Sequence, residues 1–216
     1  MLTKTRSLHK GEEWQGVALI AVVLWLAGDG EKARLEASGL AGFLNDSIIT
    51  MGLERLCEQD NINVRAVPTN IYLSDREDLF VSFMKDKEWP AKLLIPVNKN
   101  LSHWCMFVVN LYARQIEFWD SMSCLDDAYK VLEEQLLRRL KGCGITVDTE
   151  WKISKRENIP KQLDHFNCGV MLLLYAESIA GETSLDGLVA SRTYLTGVRQ
   201  NIWSVVSGED VSKTLR

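Results

Sequence analysis

Apolar positions recur along the chain with two different periods, and each change of period marks an element boundary. Between Asp46 and Glu58, Ile48, Ile49, Leu53, Leu56 and Cys57 fall on one helical stripe whose start Asn45 or Asp46 is placed to cap. Leu93 to Val97, Trp104 to Leu111 and Gln115 to Trp119 are short runs of apolar, β-branched and aromatic residues. Turn-formers divide them, first Asn98, Asn100 and Ser102, then Asn110 to Arg114, so they predict consecutive sheet strands. Asp126 to Lys141 predicts a helix. Ala128, Val131, Leu132, Gln135, Leu136 and Leu140 keep near-helical spacing, acidic residues come early, Arg138 and Arg139 late, and Gly142 stands just beyond. Ile145 to Ile153 alternates loosely as a strand, Cys168 to Ile179 is an apolar helix ending before Gly181, and Ser184 to Trp203 is helical again. Strands set inside flanking helices predict an α+β domain.

A chain of 216 residues holds one domain with appendages at most. Its 46% hydrophobic and 25% charged residues sit at the globular average and argue against a disordered chain, a collagen-like repeat and a disulfide miniprotein. With 25 Lys and Arg against 29 Asp and Glu, the net charge of −4 lacks the basic excess that duplex nucleic acid or an anionic membrane rewards, so a protein partner or small substrate fits better. The five cysteines, 57, 105, 124, 143 and 168, are odd in number and contain no C-x-x-C pair, which argues against a disulfide framework or zinc ribbon and for a reducing compartment. The longest apolar run, the 11 residues from Val17 to Ala27, would make ~16 Å of helix against a hydrocarbon core of ~30 Å and cannot span a bilayer. Lys4, Arg6 and Lys10 ahead of it suggest a secretory signal, but Glu12 and Glu13 intervene and no A-x-A site follows, so the run is read as a buried strand or helix.

Histidines are few: 9, 103 and 165. His103 follows a polar turn and opens the strand at Trp104, which puts its ring at a sheet end, where active sites gather. Asp120 closes the next strand. In an antiparallel hairpin the start of one strand lies beside the end of the next, so the two can meet across 17 residues of sequence, and a carboxylate there would hold the imidazole in one tautomer. Cys168 sits where a polar loop enters an apolar helix, and a thiol at a helix N-terminus near an imidazolium is a ready nucleophile. Gln162, 6 residues upstream, has an amide NH2 that could join the Cys168 backbone N–H at an oxyanion. The other cysteines read as packing or incidental residues, and Asp164 and His165 as solvent-facing loop residues. A metal set of His103, Cys105, Cys124 and His165 lacks ligand spacing.

These residues sit in motifs that resemble a known family. Leu101-Ser102-His103-Trp104, Phe118-Trp119-Asp120-Ser121, and Pro160-Lys161-Gln162 followed by Asn167-Cys168-Gly169 resemble the His-Trp, Asp-Ser and Gln to Cys-Gly signatures of the SUMO/sentrin-specific, ubiquitin-like-protein cysteine proteases. Phe43-Leu44-Asn45-Asp46 resembles that family's Trp-Leu-Asn-Asp motif, and Arg192 to Trp203 its closing Arg-rich helix. The resemblance covers roughly residues 40–205. It leaves 1–39 as an N-terminal extension or a first strand or helix region, and 206–216 as a tail.

The resemblance implies a papain-like, adenain-type α+β fold with a central mixed sheet flanked by helices. It implies a protease cleaving after the C-terminal Gly-Gly of a ubiquitin-like modifier, most simply SUMO, with no metal or organic cofactor. His103 would be the general base, Asp120 its orienter, Cys168 the nucleophile and Gln162 the oxyanion donor. Trp104 and Phe43 would wall a tunnel for the glycine tail, and Asp46 would face an Arg of the modifier. Two positions depart from the family pattern: Phe43 stands where Trp is usual, and Asn167 where Asp is usual. A monomer in the nucleus or cytoplasm is expected, with SUMO or another ubiquitin-like protein and its conjugates as partners, and neither nucleic acid nor a membrane span. The rival readings are a deubiquitinase or other modifier protease, an acetyltransferase of the same clan, and a catalytically silent binding module.

Overall fold

The computed structural model describes residues 43–57, 63–72, 76–85, 88–122 and 126–182, together with 184–185, 188, 190–191, 193–195 and 197–198. The apolar run 17–27, the extension 1–39, His9, Cys124, the tail 206–216 and most of the helix expected over 192–203 lie outside the described residues. Of that last helix, 193–195 and 197–198 are helical.

The elements in chain order are α1 (Asp46–Cys57), β1 (Val64–Ala66), α2 (Thr69–Tyr72), α3 (Glu77–Met84), β2 (Lys92–Lys99), β3 (His103–Asn110), β4 (Gln115–Trp119), α4 (Asp126–Gly142), β5 (Lys152–Lys155) and α5 (Cys168–Ala180). The five strands form one mixed sheet in sequence order. β2, β3 and β4 are an antiparallel meander, with Ile95 opposite Phe107 and Phe107 opposite Phe118, while β1 joins β2 and β5 joins β4 in parallel. Alternate strand residues feed two cores. Leu94, Trp104, Met106, Val108 and Trp119 pack against α1 and α5, whereas Leu93, Ile95, Val97, Phe107, Ile116 and Phe118 pack with Phe80, Met84, Leu136 and Leu140 of α3 and α4. No helix among the described residues is long and apolar enough to cross a membrane.

α5 is apolar around nearly its whole circumference because the sheet and α1 cover it together. The close approach of α1 and α5 depends on glycine. A Cβ on Gly169 would lie 2.9 Å from the Leu44 Cβ and 3.2 Å from the Ile49 Cδ1.

Two expectations about the elements are corrected. The helix expected from Ser184 does not begin there: 184–185, 188 and 190–191 are not helical, and the helical residues 193–195 and 197–198 follow Ser191, whose Oγ accepts the Tyr194 N–H at 3.1 Å as a cap does. The second concerns the strand expected over 145–153. Residues 145–151 are irregular, and the strand occupies only Lys152–Lys155. The Asp148 side chain accepts the Glu150 N–H and its carbonyl the Trp151 N–H, making a polar turn inside the loosely alternating stretch. Val64–Ala66, Thr69–Tyr72 and Glu77–Met84 have no counterpart in the sequence reading.

Candidate active site

The β2–β3 hairpin turns tightly through Asn100 and Leu101, both at positive φ (52° and 55°), closed by the Ser102 N–H on the Lys99 carbonyl. This brings the chain into β3 at His103. The β3–β4 ladder ends with Met106 opposite Trp119, so Asp120, the next residue, falls at the His103 end of the sheet. The expected meeting occurs: His103 Nε2 and Asp120 Oδ1 are 2.6 Å apart. A carboxylate only accepts, so Nε2 carries the hydrogen. Asp120 Oδ1 also accepts the Met122 N–H at 2.8 Å, and the Lys161 ammonium donates to the Asp120 carbonyl at 2.6 Å.

The other ring nitrogen, Nδ1, is buried and has no hydrogen-bond partner among the described residues. Cys168 opens α5, fully buried, and its sulfur is among the groups that raise the His103 pKa. Burial of His103 opposes the imidazolium. The Asp120 hydrogen bond, the Cys168 sulfur and the negative charge on both outweigh burial and push the pKa up to about 9. For Asp120, burial pulls the carboxyl upward, but the His103 bond, the Met122 N–H and the positive charges of His103 and Lys161 hold it below the ordinary carboxylate range.

Gln162 lies in the loop before α5, where three contacts anchor the chain. The Gln162 N–H donates to the Ser121 carbonyl at 3.1 Å, Ser121 Oγ donates to Gln162 Oε1 at 2.5 Å, and Gln162 Nε2 donates to the Asp164 carbonyl at 2.7 Å. The Tyr175 hydroxyl, from the middle of α5, reaches back to the Pro160 carbonyl.

Asp164 is corrected: it is half-buried rather than solvent-facing. Its carboxylate accepts the N–H groups of Phe166 (3.1 Å) and Asn167 (2.9 Å) and the Asn167 side-chain amide (2.6 Å), which sets the turn into α5. Asn167, buried, thus makes a favourable donor to a carboxylate where a second carboxylate would repel it. The signal for this was local, an Asp three residues ahead of an Asn at a helix start. His165 is exposed, as read.

Trp104 is anchored on the residue that follows Phe43. The indole N–H of Trp104 donates to the Leu44 carbonyl at 2.8 Å, and the ring is 2% exposed, whereas Phe43, the preceding residue, is 50% exposed. Asn45 rather than Asp46 caps α1, its Oδ1 accepting the Ile48 N–H at 3.0 Å, and Asp46 stands exposed in the first turn.

His103 paired with buried Asp120 at a sheet end, and buried Cys168 opening a helix, are the residue types from which a cysteine peptidase builds its site. Residues 81–203, more than half of the chain, match the profile of the Ulp1 protease family, C-terminal catalytic domain, and the chain belongs to that family of cysteine peptidases. It is 27% identical over 160 residues to a sentrin-specific protease of Caenorhabditis elegans, an alignment covering 66% of this chain and 22% of that protein. To sentrin-specific protease 5 of Mus musculus it is 26% identical over 162 residues, covering 65% and 20%. The chain therefore spans about a fifth of the length of these curated relatives.

Among solved structures, the C-terminal Ulp1 protease domain in complex with Smt3, the yeast orthologue of SUMO, superimposes with a TM-score of 0.68 at 18% identity, covering 94% of this chain and 98% of that one. The SUMO protease Ulp1 with its catalytic cysteine oxidised to a sulfonic acid gives 0.64 at 18% identity, covering 84% and 96%. At these identities the likeness is one of fold, and the fold is the papain-like α+β one.

Proposed function

We propose that this chain is a thiol protease that cleaves after the C-terminal Gly-Gly of a ubiquitin-like modifier, with SUMO as the first candidate. The observation that carries the mechanism is the committed Nε2–H of His103: with that hydrogen on Asp120, Nδ1 is the nitrogen left to exchange a proton with Cys168. A pKa of about 9 on His103 favours the imidazolium at neutral pH, so the ring holds a proton for the leaving amine when the Cys168 sulfur attacks as thiolate. The thiolate adds to the scissile carbonyl, and the oxyanion is met by the Cys168 N–H and the Gln162 amide. The C–N bond breaks as His103 Nδ1–H protonates the leaving amine, giving a thioester. Neutral His103 then takes a proton from water, whose attack on the thioester frees the modifier's carboxylate and restores the thiolate.

Substrate class is argued from access. Cys168 is fully buried, which suits a tail with nothing beyond backbone at its last two residues better than one with side chains. Phe43 and Trp104 are the candidate walls, the Trp104 indole being held on the Leu44 carbonyl next to Phe43 in sequence, and exposed Asp46 is the candidate partner of a modifier Arg. The names of the relatives and the Smt3 complex of Ulp1 favour SUMO, and the nucleus or cytoplasm is the compartment this reading carries.

The test mixes purified protein with SUMO, ubiquitin and related modifiers bearing a C-terminal vinyl sulfone and reads adducts by mass. A SUMO adduct that disappears in Cys168→Ala is expected, together with a steep loss of cleavage when the penultimate glycine of the tail becomes Ala. An adduct with ubiquitin alone would move the reading to a deubiquitinase. Equal cleavage of Gly-Gly and Ala-Gly tails would end the tunnel.

A further inference from the structure

The amide of Gln162 is held at both ends. A backbone carbonyl only accepts, so the atom facing the Asp164 carbonyl at 2.7 Å must be Nε2, and the atom facing Ser121 must then be Oε1. That assignment makes the Ser121 hydroxyl the donor at 2.5 Å. One Nε2–H remains outside these contacts. Both Ser121 and Gln162 are buried, where water cannot replace a lost partner, so the amide keeps this orientation only while both clamps are present.

The clamps also close a path between the two ends of the site. Ser121 follows Asp120 directly, its carbonyl accepts the Gln162 backbone N–H, and Asp164 at the other end of the amide holds Asn167, the residue before Cys168. The path runs from the His103 orienter to the nucleophile without passing through His103.

We propose that Ser121 is a positioning residue for the oxyanion site: its hydroxyl fixes the Gln162 carboxamide so that the remaining Nε2–H is presented to the reacting carbonyl oxygen. The proposal rests on the reading of Gln162 as an oxyanion donor. Ser121 bonds Gln162 through both its hydroxyl and its carbonyl, and its proposed effect passes through that residue. Without the hydroxyl, Oε1 is a buried acceptor with no donor, and the amide turns to find one. The ground-state complex loses nothing by that turn, whereas the transition state loses a preorganised donor.

The experiment measures kcat and KM for Ser121→Ala, Gln162→Ala and the double variant on a SUMO C-terminal aminocoumarin amide. Thermal melts, with active-site titration by a C-terminal electrophile, correct each rate for folded protein. We expect Ser121→Ala to lower kcat ~10-fold and Gln162→Ala ~10²-fold, each with KM close to wild type. Adding Ser121→Ala to Gln162→Ala should change nothing further, since there is no amide left to orient. Loss by the same factor in both backgrounds, unchanged kcat in Ser121→Ala, or an effect confined to KM would overturn the proposal. An unaffected kcat in Gln162→Ala would instead overturn the oxyanion role of Gln162 itself, and Ser121 would fall with it. Should Ser121→Ala not fold, Ser121→Cys, similar in size with a weaker S–H donor, carries the same comparison.

Discussion

Replacing Asp120 by Asn keeps the shape of the side chain and removes its charge. In the wild type, burial opposes the His103 imidazolium, while the Asp120 bond, the Cys168 sulfur and their charges carry the pKa to about 9. If the loss of Asp120 returns it to an ordinary ~6.5, the imidazolium fraction at pH 8 falls from roughly 0.9 to roughly 0.03, a ~30-fold loss. At pH 6 the two fractions are roughly 1 and 0.8, and this component almost disappears. Misorientation of the ring adds a loss on the order of 10²- to 10⁴-fold at every pH. The wild-type to variant ratio of kcat/KM should therefore shrink ~20-fold between pH 8 and pH 6. The assay is kcat/KM on the SUMO aminocoumarin amide across pH 5.5 to 9.5, with the His103 titration read by imidazole ¹⁵N NMR. Stability carries the matching sign. A raised histidine pKa stabilises the fold fully below its unfolded value of ~6.5 and loses that contribution as pH rises through about 9, so the Tm advantage of the wild type over Asp120→Asn should narrow as pH rises from ~6.5 and have lost this component beyond about 9. Parallel pH profiles separated by one constant factor would refute the electrostatic role of Asp120.

Gly169→Ala should destabilise by ~1–3 kcal/mol in urea titration despite the helix preference of Ala, because the new Cβ meets the Leu44 Cβ at 2.9 Å and the Leu44 carbonyl holds the Trp104 indole; equal or greater stability would contradict this. Leu101→Gly should gain ~1 kcal/mol and raise Tm by ~2–4 °C, since an 86% exposed leucine at φ 55° contributes strain and no burial, and a lower Tm would count against that account. Burial raises the Glu177 carboxyl from its ordinary 4.5 to about 7, so folding opposes its ionisation and the penalty grows as pH rises from 4.5 through 7. Glu177→Gln should accordingly melt above wild type at pH 8 and converge with it near pH 4.5; a gap independent of pH would mean that Glu177 ionises freely in the folded state.

Sequence alone determined the elements long enough to show a period. The predicted helix over 126–141 and the observed Asp126–Gly142 differ by one residue, as do 168–179 and Cys168–Ala180, and the three central strands were legible from their turns. It also determined the His103 and Asp120 encounter, because an antiparallel meander with short loops leaves no other place for adjacent strand ends. Glu77–Met84 was readable in principle from Glu77 and Asp78 ahead of Phe80, Phe83 and Met84, but β1, three residues long, carries no period at all. Its pairing with β2, like that of β5 with β4, is parallel and therefore non-local, decided by helices that return the chain to the sheet. The misread 145–151 shows the same limit, since apolar residues can face a core from an irregular loop without forming a ladder. The ring of contacts around Gln162 was equally out of reach. Ser121 and Gln162 are 41 residues apart, and a serine and a glutamine acquire a direction only when the loop before α5 folds back over the end of β4, where burial makes each of their hydrogen bonds obligatory.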